Sequence, residues 1–481
     1  MTVQLTIKNH VIPKLAIASM AVTFFHTTIA FAHGVDLEEV IVTATRSERT
    51  LDDSPLRVQV LGEEELREKA NMKPGDIRML LNESTGIQVQ QTSATSFNSN
   101  VRIQGLDGRY TQLLRDGLPI YSGFSGSLSL LQIAPLDLQQ VEVVKGASST
   151  LYGGGAIAGL VNLVSKTPSE TPETAIMLNM TSAEGLDVSA FHSRESGSHG
   201  ATLFASYNRS NAYEAASNGL TAIPEFERFT VVPRWFYEGS DTTKLDFGIG
   251  FIDEARLGGS VDYVAGRAPD EYFESNNSQR AFTRFELSHQ FDNDSSLTIK
   301  NANSRFDRSI EIPDHRFSGT QLSTFTEVAL NGLSADSNWV LGLNAVTEKF
   351  EQEQNTSAFN YDYSEYTAGA FGQYTRDLSD GLVLEGGLRV DSHSDYGRLI
   401  LPRLSLLFLP TSDLTIRLGA GYGYKAPSLF ISEADEIHFR ELEPIVPSEF
   451  DAEESRGMNF DINHHLEIAE GKTLKSNLLL F

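Results

Sequence analysis

The chain has no cysteine among its 481 residues. A disulfide framework, a thiolate zinc or iron–sulfur site and a cysteine nucleophile are therefore excluded. Basic charge is scarce too, with 38 Lys and Arg against 64 Asp and Glu and a formal net charge of −26. A nucleic-acid binder must neutralise phosphates with a basic surface, so this balance argues against one. Beyond the N-terminus there is no long apolar run, and the mean hydropathy is −0.21. A helical membrane bundle, which repeats apolar runs of about 20 residues, does not read this way.

The one long apolar stretch opens the chain. Lys8 and Lys14 lead into Leu15 to Phe25, and Ala30-Phe31-Ala32 follows. A basic, an apolar and a small-x-small region in that order read as a secretory signal peptide over 1–32, cleaved after Ala32. Export without disulfides, joined to the strand patterning described next, points to a Gram-negative envelope.

Two textures follow. From Leu37 to Lys166, short strands, two helical pieces and Gly-rich turns read as a compact α+β domain. Glu63 to Lys69 is a helix whose acidic start and basic end suit its dipole. A second helix follows Asp76, its expected N-cap, with Ile77, Leu80 and Leu81 on one face. Past the Thr167–Pro172 linker, apolar and polar side chains alternate, as in Leu245 to Phe251, Phe325 to Leu330 and Leu414 to Tyr422. Period-2 alternation gives each strand one apolar face, which points to lipid in an outer-membrane barrel and inward in a soluble sandwich. Connection lengths favour the barrel. Tight polar turns such as Gly239-Ser240-Asp241 and Asp292-Asn293-Asp294 alternate with long segments at Ser210–Pro224, Asp253–Gln279, Asp307–Gln321, Glu351–Ser364 and Lys425–Glu454. About 15 strands fit between Thr174 and Phe481, an odd number, so the expectation is a barrel lacking its C-terminal strands.

Five strings carry a resemblance. Glu39-Val40-Ile41-Val42-Thr43-Ala44 comes first, followed by Arg102 to Leu106 and by Leu114-Arg115-Asp116-Gly117-Leu118-Pro119. The longest is Val141 to Val164, and far downstream stands Gly421-Tyr422-Gly423-Tyr424-Lys425-Ala426-Pro427-Ser428. In this order, after a signal peptide and ahead of a barrel pattern, they resemble the TonB-dependent outer-membrane receptors. The resemblance implies a mainly β fold: a transmembrane antiparallel β-barrel, here about 15 of 22 strands, around an N-terminal α+β plug domain. The implied boundaries are 33–50 for the TonB box and N-terminus, 51–168 for the plug and 173–481 for the barrel.

The resemblance also implies roles. Glu39, Val40, Ile41, Val42, Thr43 and Ala44 would be the TonB box, a β-prone segment suited to adding a strand to the partner TonB. Arg102, Glu142 and Lys145, on a domain inside a polar lumen, are expected to pair with each other or with barrel carboxylates. Ligand contacts are expected from apical plug loops, through Phe97, Asn98, Tyr121 and Phe124, and from barrel loops, through Tyr361 and Tyr363. The implied activity is energised import of a scarce metal chelate across the outer membrane, ranked as ferric siderophore, then cobalamin, then haem. A haem ligand would be sought among His315, His393 and His438. Acidic Asp253, Glu254, Asp270, Glu271 and Glu274 offer oxygen ligands of the kind Ca²⁺ takes, with solvated loop charge as the alternative. The glycines from Gly153 to Gly159 precede a strand rather than a helix, so they form no phosphate cradle. No Ser, His and Asp constellation assembles, and no enzyme, cofactor or nucleic-acid partner is expected. From another class, a passive outer-membrane channel or an adhesin stays open.

Overall fold

The computed structural model describes residues 41–42, 49–50, 54–72, 75–82, 84–91, 99–146, 149–182, 184–240, 242–356, 359–469 and 472–481. Near the N-terminus, β1 (Ile41–Val42) and β2 (Arg49–Thr50) form a two-stranded antiparallel ladder. The plug then runs through β3 (Val58–Leu61), α1 (Glu63–Ala70), α2 (Arg78–Asn82), β4 (Ile87–Gln91) and β5 (Ser99–Ile103). It continues with β6 (Thr111–Arg115), β7 (Leu118–Pro119), β8 (Leu138–Lys145), α3 (Ser149–Tyr152) and β9 (Gly159–Ser165). One sheet has the order β3-β8-β9-β6-β7, with β6 and β9 parallel, and β4 and β5 make a separate hairpin.

Local chemistry explains these elements. The first turn of α1 carries Glu63, Glu64 and Glu65 and its last turn Arg67 and Lys69, each sign at the favourable dipole end. Lys69 Nζ reaches Glu65 one turn back at 2.8 Å. Asp76 Oδ1 accepts the backbone N–H of Arg78, which starts α2, and the short helix buries Leu80 and Leu81. These leucines join Leu66, Ile103, Val141, Val143, Val161 and Leu163 in a core belonging to the plug alone. The hairpin of β6 and β7 closes on Asp116-Gly117, whose φ values of 52° and 75° are both left-handed. That is the two-residue turn an Asp-Gly pair between apolar residues specifies.

The barrel wall follows as a single antiparallel meander of 15 strands, each paired with the next in sequence. They are β10 (Glu173–Met180), β11 (Leu186–Ser196), β12 (His199–Ser210), β13 (Glu225–Ser240), β14 (Thr243–Gly259), β15 (Phe273–Gln290), β16 (Ser295–Ile312) and β17 (His315–Ser334). The rest are β18 (Ser337–Asn355), β19 (Tyr363–Ser379), β20 (Leu382–His393), β21 (Gly397–Thr411), β22 (Leu414–Lys425), β23 (Glu453–Ala469) and β24 (Lys472–Leu480). β10 and β24 are the two edges, and the sheet does not close between them.

Burial is inverted relative to a soluble protein. Ile176, Leu178 and Met180 of β10 and Leu341 and Leu343 of β18 are exposed, whereas Arg389, Glu385 and Asp391 of β20 are buried. An apolar outer face around a polar lumen is what a bilayer as solvent selects. No helix among the described residues is long and apolar enough to cross a membrane. Both tryptophans of the chain, Trp235 and Trp339, sit close to the short-turn end, where Trp235 stacks on Tyr237 and Trp339 pairs across strands with Tyr374. Aromatic rings at one level mark a membrane interface.

The long connections 211–224, 260–272 and 426–452 fall at one end of the wall, together with the tight turns 313–314 and 394–396, and the connections at the other end are tight turns. One expected long loop is corrected. Asp307–Gln321 is not a loop, because β16 and β17 continue with paired side chains up to Ile312 and His315 and turn over 313–314. Polar residues carry both strands beyond the apolar band, which hides strand from an apolar-alternation reading.

Candidate functional site

The lumen is occupied by the plug, and the site is the space between the plug's outer end, the barrel wall and connection 426–452. Ser122 starts a 3₁₀ helix, Gly123–Gln132, with the Ser125 hydroxyl donating to the Ser122 carbonyl at 2.8 Å. From β17, the side-chain amide of Gln321 accepts from Ser125 N at 3.0 Å and donates to Ser122 O at 3.1 Å, fixing that turn to the wall. Gly123 has φ 50°, and a Cβ there would press on the Glu348 carboxylate. Only glycine fits this approach. Beside it, the Ser122 hydroxyl donates to Glu348 at 2.6 Å, and the Tyr363 hydroxyl donates to the same carboxylate.

Phe124 does not line an open loop surface as the sequence predicts; it is 1% exposed. Its ring sits at the centre of an aromatic cluster, 5.0 Å from Phe350, 5.1 Å from Phe430, 5.6 Å from Phe317, 5.8 Å from Phe306 and 5.9 Å from Phe439. Phe430 and Phe439 come from connection 426–452, which folds inward over the plug. Its short helix α5 (Ser432–Glu436) places Asp435 2.8 Å from Arg308 of β16, both side chains buried. Tyr361 is likewise buried rather than loop-exposed, donating its hydroxyl to Leu442 O at 2.7 Å. His315 Nε2 lies 2.9 Å from His438 O, and His438 and Phe439 both hold positive φ, 58° and 56°. Consecutive non-glycine residues in that region are sustained only where packing over-determines them.

A cavity of about 1040 Å³ opens beneath this cover, between Asn100, Arg109, Tyr121, Lys425, Ser432 and Glu453. A second, of about 760 Å³, lies between the plug segment Leu118–Ser122 and strands β15 to β18. Tyr121 borders both, half-buried with the Arg280 guanidinium 4.0 Å above its ring. Phe97 and Asn98 lie outside the described residues. So do Glu39, Val40, Thr43 and Ala44 of the expected box, while its Ile41–Val42 form β1.

The plug-to-barrel charge pairs run through residues other than those singled out from the sequence. Arg102 donates to Gln90 at 2.7 Å and to Gly105 O at 3.2 Å, and Lys145 donates to Gln59 at 2.8 Å and to Thr85 O, all within the plug. Glu142 accepts from Gln140 at 2.8 Å and Asn162 at 3.0 Å. Burial drives the Lys145 amine down to about 8, and Arg57 adds to the fall.

Across the interface the central group is Asp116, at the tip of the β6–β7 hairpin. Its carboxylate pairs with Arg284 of β15 and stands 3.8 Å from Arg234 of β13, while Asp246 of β14 binds the two arginines at 2.7 and 2.6 Å. Burial alone would raise the Asp116 carboxyl, but Arg284, Arg234 and Arg115 outweigh it and hold the group far below the usual carboxylate range. Arg57 pairs with Asp461, and Arg109 lies 3.4 Å from Glu453. Barrel arginines also reach plug carbonyls: Arg228 to Gly75 at 2.5 Å, Arg417 to Ser54 at 2.9 Å and Arg280 to Ile120. The sequence offered a signal for Asp116, since an Asp-Gly pair between leucines marks a hairpin tip, but its partners lie more than 100 residues away in the chain.

Of the five acidic residues considered for Ca²⁺, Glu254 is buried against Arg256 at 2.6 Å, and Glu271 accepts from Ser260. Among the described residues no group of three or more His, Asp or Glu converges to hold a metal ion.

Comparisons with known proteins agree with this architecture. Residues 50–160 match the TonB-dependent Receptor Plug Domain, and residues 186–460 match the TonB dependent receptor-like β-barrel. The chain is 24% identical over 449 residues to the vitamin B12 transporter BtuB of Vibrio vulnificus (strain CMCP6), covering 86% of this chain and 68% of that one. It is 32% identical over 174 residues to the ferric aerobactin receptor of Klebsiella pneumoniae, covering 34% of this chain and 21% of that one. Among solved structures it resembles the ferric enterobactin receptor PfeA, with a TM-score of 0.70 at 16% identity over 89% of this chain and 72% of that one. It also resembles the siderophore receptor PirA of Pseudomonas aeruginosa, with a TM-score of 0.64 at 17% identity over 85% of this chain and 72% of that one. With one family match covering the plug and the other more than half of the chain along the wall, this protein belongs to the TonB-dependent receptors.

Proposed function

We propose that this chain imports a scarce metal chelate across the outer membrane of a Gram-negative bacterium, energised by TonB, with a ferric siderophore as the first candidate and cobalamin as the alternative. The observation that carries the reading is the occupied lumen. A plug pinned to the wall by Asp116, Arg57 and Arg109 blocks free diffusion, so passage requires work on the plug, and a passive channel would not be built so. The relatives named for vitamin B12 and ferric aerobactin support chelates of these two kinds. The covered cavity supports them as well. It mixes amide, hydroxyl and aromatic groups, suited to a bulky ligand with apolar rims and polar edges. Haem has less support, because the Nε2 of His315 is engaged by a backbone carbonyl.

Each residue set then has a part. The chelate binds at the outer end against Tyr121 and the neighbouring wall, displacing the cover formed by 426–452. TonB adds a strand to residues 39–44, where Ile41–Val42 already pair as a short ladder with Arg49–Thr50. A ladder this short is marginal alone and exchanges readily for a longer partner strand. Pulling on that strand strains the plug, whose ion pairs to the wall must yield before the lumen opens.

The test uses labelled vitamin B12, ferric aerobactin and ferric enterobactin with the chain in a host that supplies TonB. Deleting residues 39–44 is expected to abolish uptake of the bound compound while leaving its equilibrium binding unchanged. Uptake that survives the deletion overturns energised import in favour of a channel.

A further inference from the structure

The plug meets the wall along two seams of opposite character. On one, α3 and the Gly-rich turn after it approach β19 to β22 closely. A Cβ on Gly154 would lie 2.9 Å from the Tyr424 ring, and one on Gly153 would lie 3.0 Å from Arg389. Gly155 N donates to Tyr424 O at 3.0 Å, and the Thr150 hydroxyl donates to Leu401 O at 3.1 Å. Leu151 and Tyr152 share one apolar cluster with Val340 and Phe371 of the wall.

On the other seam, cavities follow one another along the plug. The outer cavity of about 1040 Å³ meets the middle one of about 760 Å³ at Tyr121 and Ser122. The middle cavity meets a third, of about 980 Å³, at Arg284. This third cavity lies toward the short-turn end, bordered by Asp116, Ser165, His199, Glu238, Lys244 and Ser288. A further cavity near β10 to β13 shares no lining residue with these three, so it is not a member of the series.

What separates the three is a small set of side chains. Tyr121 with the Arg280 guanidinium over its ring divides outer from middle, and Asp116 with Arg284, Arg234 and Asp246 divides middle from inner. All sit on the hairpin β6–β7, on the segment just after it or on the facing strands β13 to β15. We infer that the chelate crosses along this seam, between the Pro119 side of the plug and strands β13 to β18, with the Asp116 cluster as the inner gate and the seam at β19 to β22 acting as the fixed hinge. Widening space that is already open breaks few contacts, whereas parting the opposite seam exposes close-packed apolar surface. Plug motion is then a swing of the β6–β7 side, and the plug need not leave the lumen.

This inference rests on the transport reading, and paired cysteines separate the two, since the native chain has no thiol to interfere. Cysteines at Thr150 and Gly387 bridge the packed seam. An ideal Cβ at 387 lies 3.9 Å from that of Thr150, a separation a disulfide spans without strain. Cysteines at Pro119 and Ala302, on β7 and β16 whose Cα atoms approach within 8 Å, bridge the cavity seam through a short bismaleimide. Binding and uptake of vitamin B12, ferric aerobactin and ferric enterobactin are measured with each bridge open and closed, against single-cysteine controls given the same reagents. Closing the Pro119–Ala302 bridge is expected to lower uptake of the bound compound at least about tenfold with binding intact, and closing Thr150–Gly387 to leave uptake within about twofold. Uptake that survives the first bridge, or is lost with the second, overturns the route while leaving import standing. Uptake absent even from the unbridged chain overturns import, and the route falls with it.

Discussion

At the residue scale the molecule turns on buried charges whose partners come from distant strands. Asp116 shows the consequence for pH. Its folded carboxyl is held far below the unfolded value, so its contribution to plug docking is present at all pH above the ordinary carboxylate range. That contribution is lost only as pH falls through the depressed folded value. The expected outcome is a plug-to-wall contact insensitive to pH from 7 down to about 4, measured by protection of the β6–β7 hairpin from protease. Asp116→Asn should abolish that protection at neutral pH, since removing one partner of a buried pair costs about 3–5 kcal/mol and leaves Asp246 alone to neutralise Arg284 and Arg234. Lys145 shifts in the same direction but at higher pH, and because it is a cation its lowered value costs stability at neutral pH. Its folded amine titrates at about 8, below the unfolded lysine, so the folded plug binds fewer protons between those values and its stability rises as pH increases through that window. Lys145→Met should remove this rise from the plug's calorimetric transition, and an unchanged rise would assign it to another group. Residue identity foretold a lumen of paired charges, because a domain inside a polar barrel cannot bury Arg and Glu unpaired. It did not foretell which ones pair, because Asp116 is joined to Arg234 and Arg284 only by the register of strands more than 100 residues on.

At the scale of elements, the connection 426–452 and the 3₁₀ helix Gly123–Gln132 behave as two halves of one cover, joined through Phe124. Replacing Phe124 with Ala removes a ring that touches aromatic groups from the plug's surroundings on every side, a loss of about 3–5 kcal/mol for a buried aromatic. Because that energy is shared with a surface connection, the expected result is local: rapid cleavage within 426–452 by protease added from outside, with the plug core still protected. Asp435→Asn should loosen the same segment through Arg308. Cleavage at the wild-type rate in both variants would show that the cover is held elsewhere. Strand periodicity made the wall legible from the sequence, because alternation at Leu245 to Phe251 or Leu414 to Tyr422 is imposed by lipid on one side and plug on the other. The same rule failed at Asp307–Gln321, where the strands stand clear of lipid and their outer faces turn polar, so that paired backbone reads as loop. Phe124 and Tyr361 were misplaced for a related reason, since a connection that folds inward over the plug has the composition of one that faces solvent.

For the whole molecule, the test of orientation is the apolar outer surface. Exposed Leu341 and Leu343 on β18 alternate with the inward Val340 and Asn344, and exposed Ile176, Leu178 and Met180 repeat the pattern on β10. In water such a surface would drive aggregation, and in a bilayer it is the lowest-energy face. The cost of a charge there depends on depth. Leu343 lies well inside β18, whereas Met180 ends β10 at the side of connection 181–185. Leu343→Arg is therefore expected to destabilise the bilayer-inserted chain by about 2–4 kcal/mol, and Met180→Arg by about 0–1 kcal/mol, in equilibrium unfolding from lipid vesicles. Equal costs at both positions would contradict a membrane-spanning wall. A larger cost for Leu343 gives the wall its depth scale and places Trp235 and Trp339 at the boundary on the short-turn side. The Asp116 cluster, on the same side, then lies on the inner half of the proposed path.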